Sequence, residues 1–166
     1  MIVVADATAL ILSARIGRLE LLREVLGEVW IPEAVSQELR VPGKPGAEAL
    51  AEALGAWIHV VRVEDRKQVE ELPKRLGLGE REAIALALER GATLLSDDRA
   101  ARREAQRQGL KVTGLLAVLL QAKARGAILE VKPVLDELVA AGFRLAPDLY
   151  EAVLREAGEV EEGRSA

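Results

Sequence analysis

Cysteine is missing from all 166 residues, which removes disulfide frameworks, thiolate zinc sites and cysteine nucleophiles together. Histidine occurs once, at His59 within a strand-like run. With no cysteine to partner it, it makes neither a zinc site nor a nucleophile pair. Aromatics are scarce: two Trp, one Tyr and one Phe leave little with which to stack bases. A surplus of positive charge is absent too, since 23 Lys and Arg stand against 27 Asp and Glu for a net −4. That balance argues against a protein that coats nucleic acid through bulk potential, so any such contact has to be local. Gly77-Leu78-Gly79 lacks both the Lys and the spacing of a phosphate-binding loop. No apolar stretch is long enough to cross a bilayer, and Ile2-Val3-Val4-Ala5 is halted at once by Asp6, so no leader is expected. The chain reads as soluble, cytoplasmic and free of membrane association. Its length suits one domain whose core needs no disulfide or structural metal.

Short β-branched runs alternate with longer helical patterns, the signature of an α/β fold with a mostly parallel sheet. Strands are expected at 2–5, 28–31, 57–63, 93–96 and 111–113. Helices are expected between them, including 32–39, one reaching Leu54, a polar one over 65–76 and another starting at Glu80. From Gly114 the pattern is wholly helical, broken at Gly126, Pro133, Gly142 and Pro147. The expected organisation is one domain over 1–157, with a core at about 2–127, C-terminal helices at about 132–157 and a flexible acidic tail over 158–166.

In open parallel sheets ligands bind beyond the carboxyl ends of strands. Two such places are acidic: Asp6 follows the first strand, and Asp97-Asp98 follow Leu94-Leu95-Ser96. For any one of these aspartates alone, helix capping is the commoner role. Glu38 adds an acid at the boundary of the inward face marked by Val35 and Leu39. Glu80 and Glu82 open the next helix, where the macrodipole alone favours them.

Taken in order, strand-Asp6-Ala7-Thr8-Ala9-Leu10, helix-borne Glu38-Leu39, Gly79-Glu80-Arg81-Glu82-Ala83-Ile84-Ala85-Leu86-Ala87 and Leu94-Leu95-Ser96-Asp97-Asp98-Arg99 resemble a PIN domain. Within that family the chain looks most like a small prokaryotic PIN-like subgroup of uncharacterised function, over roughly Ile2 to Ala127. The resemblance implies a three-layer α/β/α sandwich on a sheet of about five strands. It also implies an acidic pocket that binds Mg²⁺ or Mn²⁺ and cleaves RNA. Asp6 matches the family's first acid, Glu38 the second, and Asp98, two residues after Ser96, the last, with Asp97 its neighbour. The third acid is Glu80 or Glu82, where the family commonly has an aspartate. Thr8 and Ser96 match hydroxyl positions that orient ligands or water. Converging carboxylates suit hard divalent cations, and without a cation they raise one another's pKa values.

Arg99, Arg102, Arg103 and Arg107 share a helix beside Asp98. They are candidates to grip a nucleic-acid backbone, single-stranded RNA above all, against the alternative of a solvated charged face. By analogy with small PIN toxins, the resemblance further implies an antitoxin-like protein partner; a homodimer is compatible with it. Two readings compete with the nuclease: a PIN-like scaffold kept as a non-catalytic interaction module, and a receiver-like phospho-acceptor domain.

Overall fold

The structure, a computed structural model, describes residues 2–160. Five strands form a parallel sheet: β1 (Val3–Ala5), β2 (Val29–Ile31), β3 (Ile58–Val60), β4 (Thr93–Leu95) and β5 (Val112–Thr113), in the order β3-β2-β1-β4-β5. β1 lies at the centre because its residues tolerate complete burial: Val3, Val4 and Ala5 are wholly covered. The pleat sends them to opposite layers. Val3 and Ala5 join Val29, Ile31, Ile58 and Leu95 on one face, while Val4 joins Leu94 on the other.

The helices fill the two outer layers. Against the first face pack α1 (Ala7–Arg15), α2 (Leu19–Leu26), α3 (Glu33–Leu39), α4 (Ala47–Ala53), α8 (Leu115–Ala124), α9 (Val131–Ala140) and α10 (Pro147–Glu156). Against the second lie α5 (Arg66–Glu71), α6 (Leu78–Arg90) and α7 (Arg99–Arg107). The expected three-layer α/β/α sandwich is therefore present. A receiver-like fold is excluded by the strand order, since that family's sheet runs 2-1-3-4-5 and this one runs 3-2-1-4-5.

Several boundaries differ from the sequence expectation for local reasons. The polar helix expected over 65–76 stops at Glu71, because Pro73 biases Leu72 toward the extended backbone it adopts. The next helix begins at Leu78 rather than Glu80. β3 ends at Val60, its partner β2 having run out at Ile31. Pro133 does not break the C-terminal helices; it sits in the first turn of α9, where its missing N–H removes no helical bond.

Of the stretch expected as a tail, 161–166 lies outside the described residues, and Glu159 makes contacts with two helices. The Glu159 carboxylate accepts the free N–H groups of Val131 (2.7 Å) and Lys132 (2.8 Å) at the head of α9 and ion-pairs with Lys123 Nζ of α8 at 3.0 Å. Those bonds hold its pKa down against the upward push of burial. Among the described residues no helix is long and apolar enough to cross a membrane.

Candidate functional site

From β1 the chain crosses to β2 on one side, and from β3 it returns across the sheet to β4 on the other. β1 and β4 are thus neighbours at a switch point, the place where a crevice opens beyond the strand ends. The Asp6 amide donates to Leu95 O at 3.1 Å, so the acids that follow these two strands are held side by side by the sheet itself.

Asp6 occupies the N-cap position of α1, yet its side chain makes no cap hydrogen bond. It is 5 % exposed, and its Oδ1 is buried without a hydrogen-bond partner among the described residues. Burial pushes its pKa up to about 7, with Asp97 and Glu80 adding to the rise and a hydrogen bond from the buried Ser96 hydroxyl opposing it. The Thr8 backbone also acts to lower it, a contact too weak to make Asp6 a full cap, and Oδ1 stays without a partner among the described residues. An orphaned, ionisable oxygen in an apolar setting is costly to keep unless something positive comes to it.

Around Asp6 stand acids from three other elements. Glu38 projects from α3, its pKa raised by burial. Glu80, in the first turn of α6, has its pKa raised by burial, by Asp98 and by Glu38. These three line a hollow of about 40 Å³ with Ala7, Thr8, Gly77 and Gly79, room for more than one water-sized occupant. Gly79 matters here because a Cβ at that position would run into Glu38 Oε1. This cradle has no signal in a single sequence beyond the glycine itself.

The neighbouring aspartates divide their duties. Asp98 caps α7, its Oδ2 accepting from Ala101 N at 2.8 Å. Asp97 accepts from Leu115 N at 3.1 and 3.2 Å, holding the start of α8. Its pKa is raised by burial, against the Leu115 bond and the Arg102 charge. A Cβ at Gly114 would fall 2.5 Å from Asp97 Oδ1. The capping role thus holds for both aspartates, while each also adds charge to the group: Asp97 acts on Asp6 and Asp98 on Glu80.

Glu82 is set apart. It is buried, accepting from Ala34 N at 2.9 Å and from Arg66 Nη1 at 2.7 Å, which ties α6 to α3 and α5. Of the two glutamates left open by sequence, the structure places Glu80 in the hollow with Asp6 and Glu38 and Glu82 outside it, against Ala34 and Arg66.

The arginines also separate. Arg102 bridges the carbonyls of Ser96 (2.7 Å) and Thr113 (3.1 Å) at the ends of β4 and β5, and Arg107 pairs with the buried Glu104 at 2.6 Å. Both are occupied within the protein. Arg99 and Arg103 are exposed, make no ion pair among the described residues, and line a groove of about 580 Å³ that includes Asp97. Arg144, which sequence reasoning missed, lines it too. His59 faces Glu28 at 3.5 Å on the edge strand, away from the acids. An apolar groove of about 350 Å³ between α4 and the loop after α3 holds no carboxylate cluster.

The donor set is all oxygen, which suits a hard divalent cation. Among the described residues no three ligand side chains already stand together as a metal-binding group. Mg²⁺ commonly takes only one or two carboxylates directly and keeps waters for the rest, so the residues fit such an ion in donor chemistry and in the unpartnered Asp6 Oδ1.

A family model for the PIN domain matches residues 2–159, and the chain belongs to that family. PIN domains are generally nucleases and generally use divalent metal ions. No curated protein matches the chain. Among solved structures, a domain of a functionally unknown protein from Methanocaldococcus jannaschii is 22% identical. That match covers 69% of this chain and 91% of the other, with a TM-score of 0.46, a likeness that says nothing of activity.

Proposed function

We propose that the chain is a metal-dependent endoribonuclease that hydrolyses phosphodiester bonds of single-stranded RNA, with Mg²⁺ or Mn²⁺ held by Asp6, Glu38, Glu80 and Asp98. The observation that carries this reading is Asp6: a buried carboxylate with one oxygen unpartnered, at the switch point of the sheet, facing further acids. When bound, the cation supplies positive charge against the phosphate and a more acidic water. The chain's own residues prepare the place. Ser96 fixes the Asp6 carboxylate through its hydroxyl, Gly79 admits Glu38, and the Asp98 cap on α7 orients the arginines that follow it. In a protein of net charge −4, bulk potential does not replace the cation in neutralising the reacting phosphate.

The scaffold alternative draws on the caps made by Asp97 and Asp98, which explain those two acids without catalysis. It leaves the unpartnered Asp6 unexplained. The deciding experiment incubates purified full-length protein with end-labelled single-stranded RNA of mixed sequence, in EDTA and then with Mn²⁺ or Mg²⁺ restored. Cleavage that needs the metal and is lost in Asp6→Asn supports the nuclease. Folded wild-type protein that binds Mn²⁺ but cuts neither RNA nor DNA returns the scaffold reading.

A further inference from the structure

The loop between α9 and α10 anchors the backbone on either side of Phe143 and places one arginine next to it. Gly142 takes φ +117, a backbone conformation that side-chain-bearing residues rarely adopt. The next residue, Phe143, is buried at 8 % exposure, and its N–H donates to Leu138 O at 2.9 Å. Arg144 follows directly, exposed and without an ion pair among the described residues. Beside the large groove of Arg99 and Arg103 lies a second hollow of about 300 Å³, lined by Thr8, Asp97, Asp98 and Arg144 among others. Arg144 lines both spaces, together with Asp97 and Phe143.

We infer that Arg144, with Arg99 and Arg103, forms a backbone clamp that leads a single nucleic-acid strand along this groove to the acids. The inference deepens the nuclease reading and rests on it for where the strand is going. The chemistry recognised is the anionic phosphodiester. Near carboxylates a phosphate is repelled, so the strand needs fixed cations at the entrance to the acidic crevice. Arg144 is the exposed cation standing where the two spaces meet. Arg99 and Arg103 lie one helical turn apart, roughly 6 Å along the α7 axis, and present a second and third charge along the same groove. Exposed guanidinium groups that meet phosphates confer position rather than sequence preference. Arg144 is a positioning residue, not a catalytic one.

The test uses full-length protein and a fluorescein-labelled single-stranded RNA of roughly 12 nucleotides, within the usual site size of single-strand grooves. Affinity is read by anisotropy in Ca²⁺ at several salt concentrations, and cleavage in Mn²⁺ gives KM and kcat. Arg144→Gln is expected to weaken binding about tenfold and to reduce the magnitude of the salt slope by about one. It should raise KM with little change in kcat, and Arg144→Lys should recover most of the loss. Arg155→Gln, on α10 outside the groove, changes the net charge equally and should bind as wild type does. The clamp is overturned if Arg144→Gln binds with wild-type affinity and salt slope, if Arg155→Gln weakens binding as much, or if wild type binds no strand at all. Wild type that binds in the expected way but never cleaves removes the nuclease and leaves the clamp. Wild type that cleaves while Arg144→Gln matches it throughout removes the clamp alone.

Discussion

Gly79 leaves empty the space that the Glu38 carboxylate fills; a Cβ on Gly79 and Glu38 Oε1 could not both remain where they are. The colliding atom is the far end of a flexible side chain, so the glutamate would swing aside and the fold would survive. Gly79 is also the second residue of α6, where alanine is the better helix former by roughly 0.5–1 kcal/mol.

Gly79→Ala should therefore leave thermal stability unchanged or slightly raised while lowering Mn²⁺ affinity, the reverse of an ordinary packing defect. Calorimetric titration and a melting curve on the same sample check it. A fall in stability with unchanged metal affinity would show that Glu38 does not need this cradle to serve the site.

Asp6 predicts a pH dependence of stability in the metal-free protein. Its pKa rises from 3.8 to about 7 on folding, so between those values the folded state binds more protons than the unfolded one. Stability should then fall as pH rises through that window and level off above it. The raised pKa values of Glu38, Glu80 and Asp97 act in the same direction. The shift at Asp6 alone corresponds to an upper limit of roughly 4 kcal/mol. Melting temperatures in EDTA should drop between about pH 4 and pH 7. Mn²⁺ should offset the drop, and Asp6→Asn should lessen it. A flat profile in EDTA would mean that Asp6 is not held as buried as it stands here.

Glu80 and Glu82 should fail in different assays. Glu80→Gln is expected to weaken metal binding with little loss of stability. Glu82→Ala leaves the buried Ala34 N–H without its acceptor and Arg66 without its partner, a loss of about 1–3 kcal/mol in stability with metal affinity kept. Denaturant melts paired with Mn²⁺ titration separate them, and a Glu82→Ala protein that folds normally but loses metal would return Glu82 to the site.

At the end of β4 the split is subtler. Asp97→Ala removes the acceptor for Leu115 N–H and should cost about 1 kcal/mol through the loosened start of α8. Asp98→Asn keeps an oxygen for the α7 cap while removing the charge that acts on Glu80. We therefore expect Asp98→Asn to lose far more cleavage activity than Asp97→Asn and less stability than Asp97→Ala. Equal losses of activity from the two asparagine variants would mean that both carboxylates serve the metal.

Much of the fold was legible because burial is written into composition. The runs around Val3–Ala5 and Thr93–Leu95 carry no charged residue, which fits strands covered on both sides, and Asp6 and Ser96-Asp97 follow where the strands end. Asp6, Glu38 and Glu80 could be named because three separate segments each place an acid beside an apolar element. Choosing between Glu80 and Glu82 needed more. Two residues apart on a helix point about 200° from each other, and only the packing of α3 against α6 tells which side faces the acids. Arg144 was illegible for a related reason: its partners Arg99 and Arg103 lie on a distant helix, and no local pattern joins them. Among the four arginines of α7, the i,i+3 spacing of Glu104 and Arg107 hints at that pair, but the sequence holds no sign that Ser96 O and Thr113 O occupy Arg102.

Glu159 is itself a joint between two helices. Its carboxylate closes the head of α9 and holds Lys123 of α8, and at the foot of α9 stands the turn that carries Arg144. Shortening the chain to Gly158 would remove no atom from the arginine groove, yet it would unfasten one end of a lever of roughly 15 Å whose other end reaches that groove. A tag or a fused partner is therefore safest attached beyond Glu159, and a cut that removes Glu159 would loosen α9 at the end opposite the arginine turn.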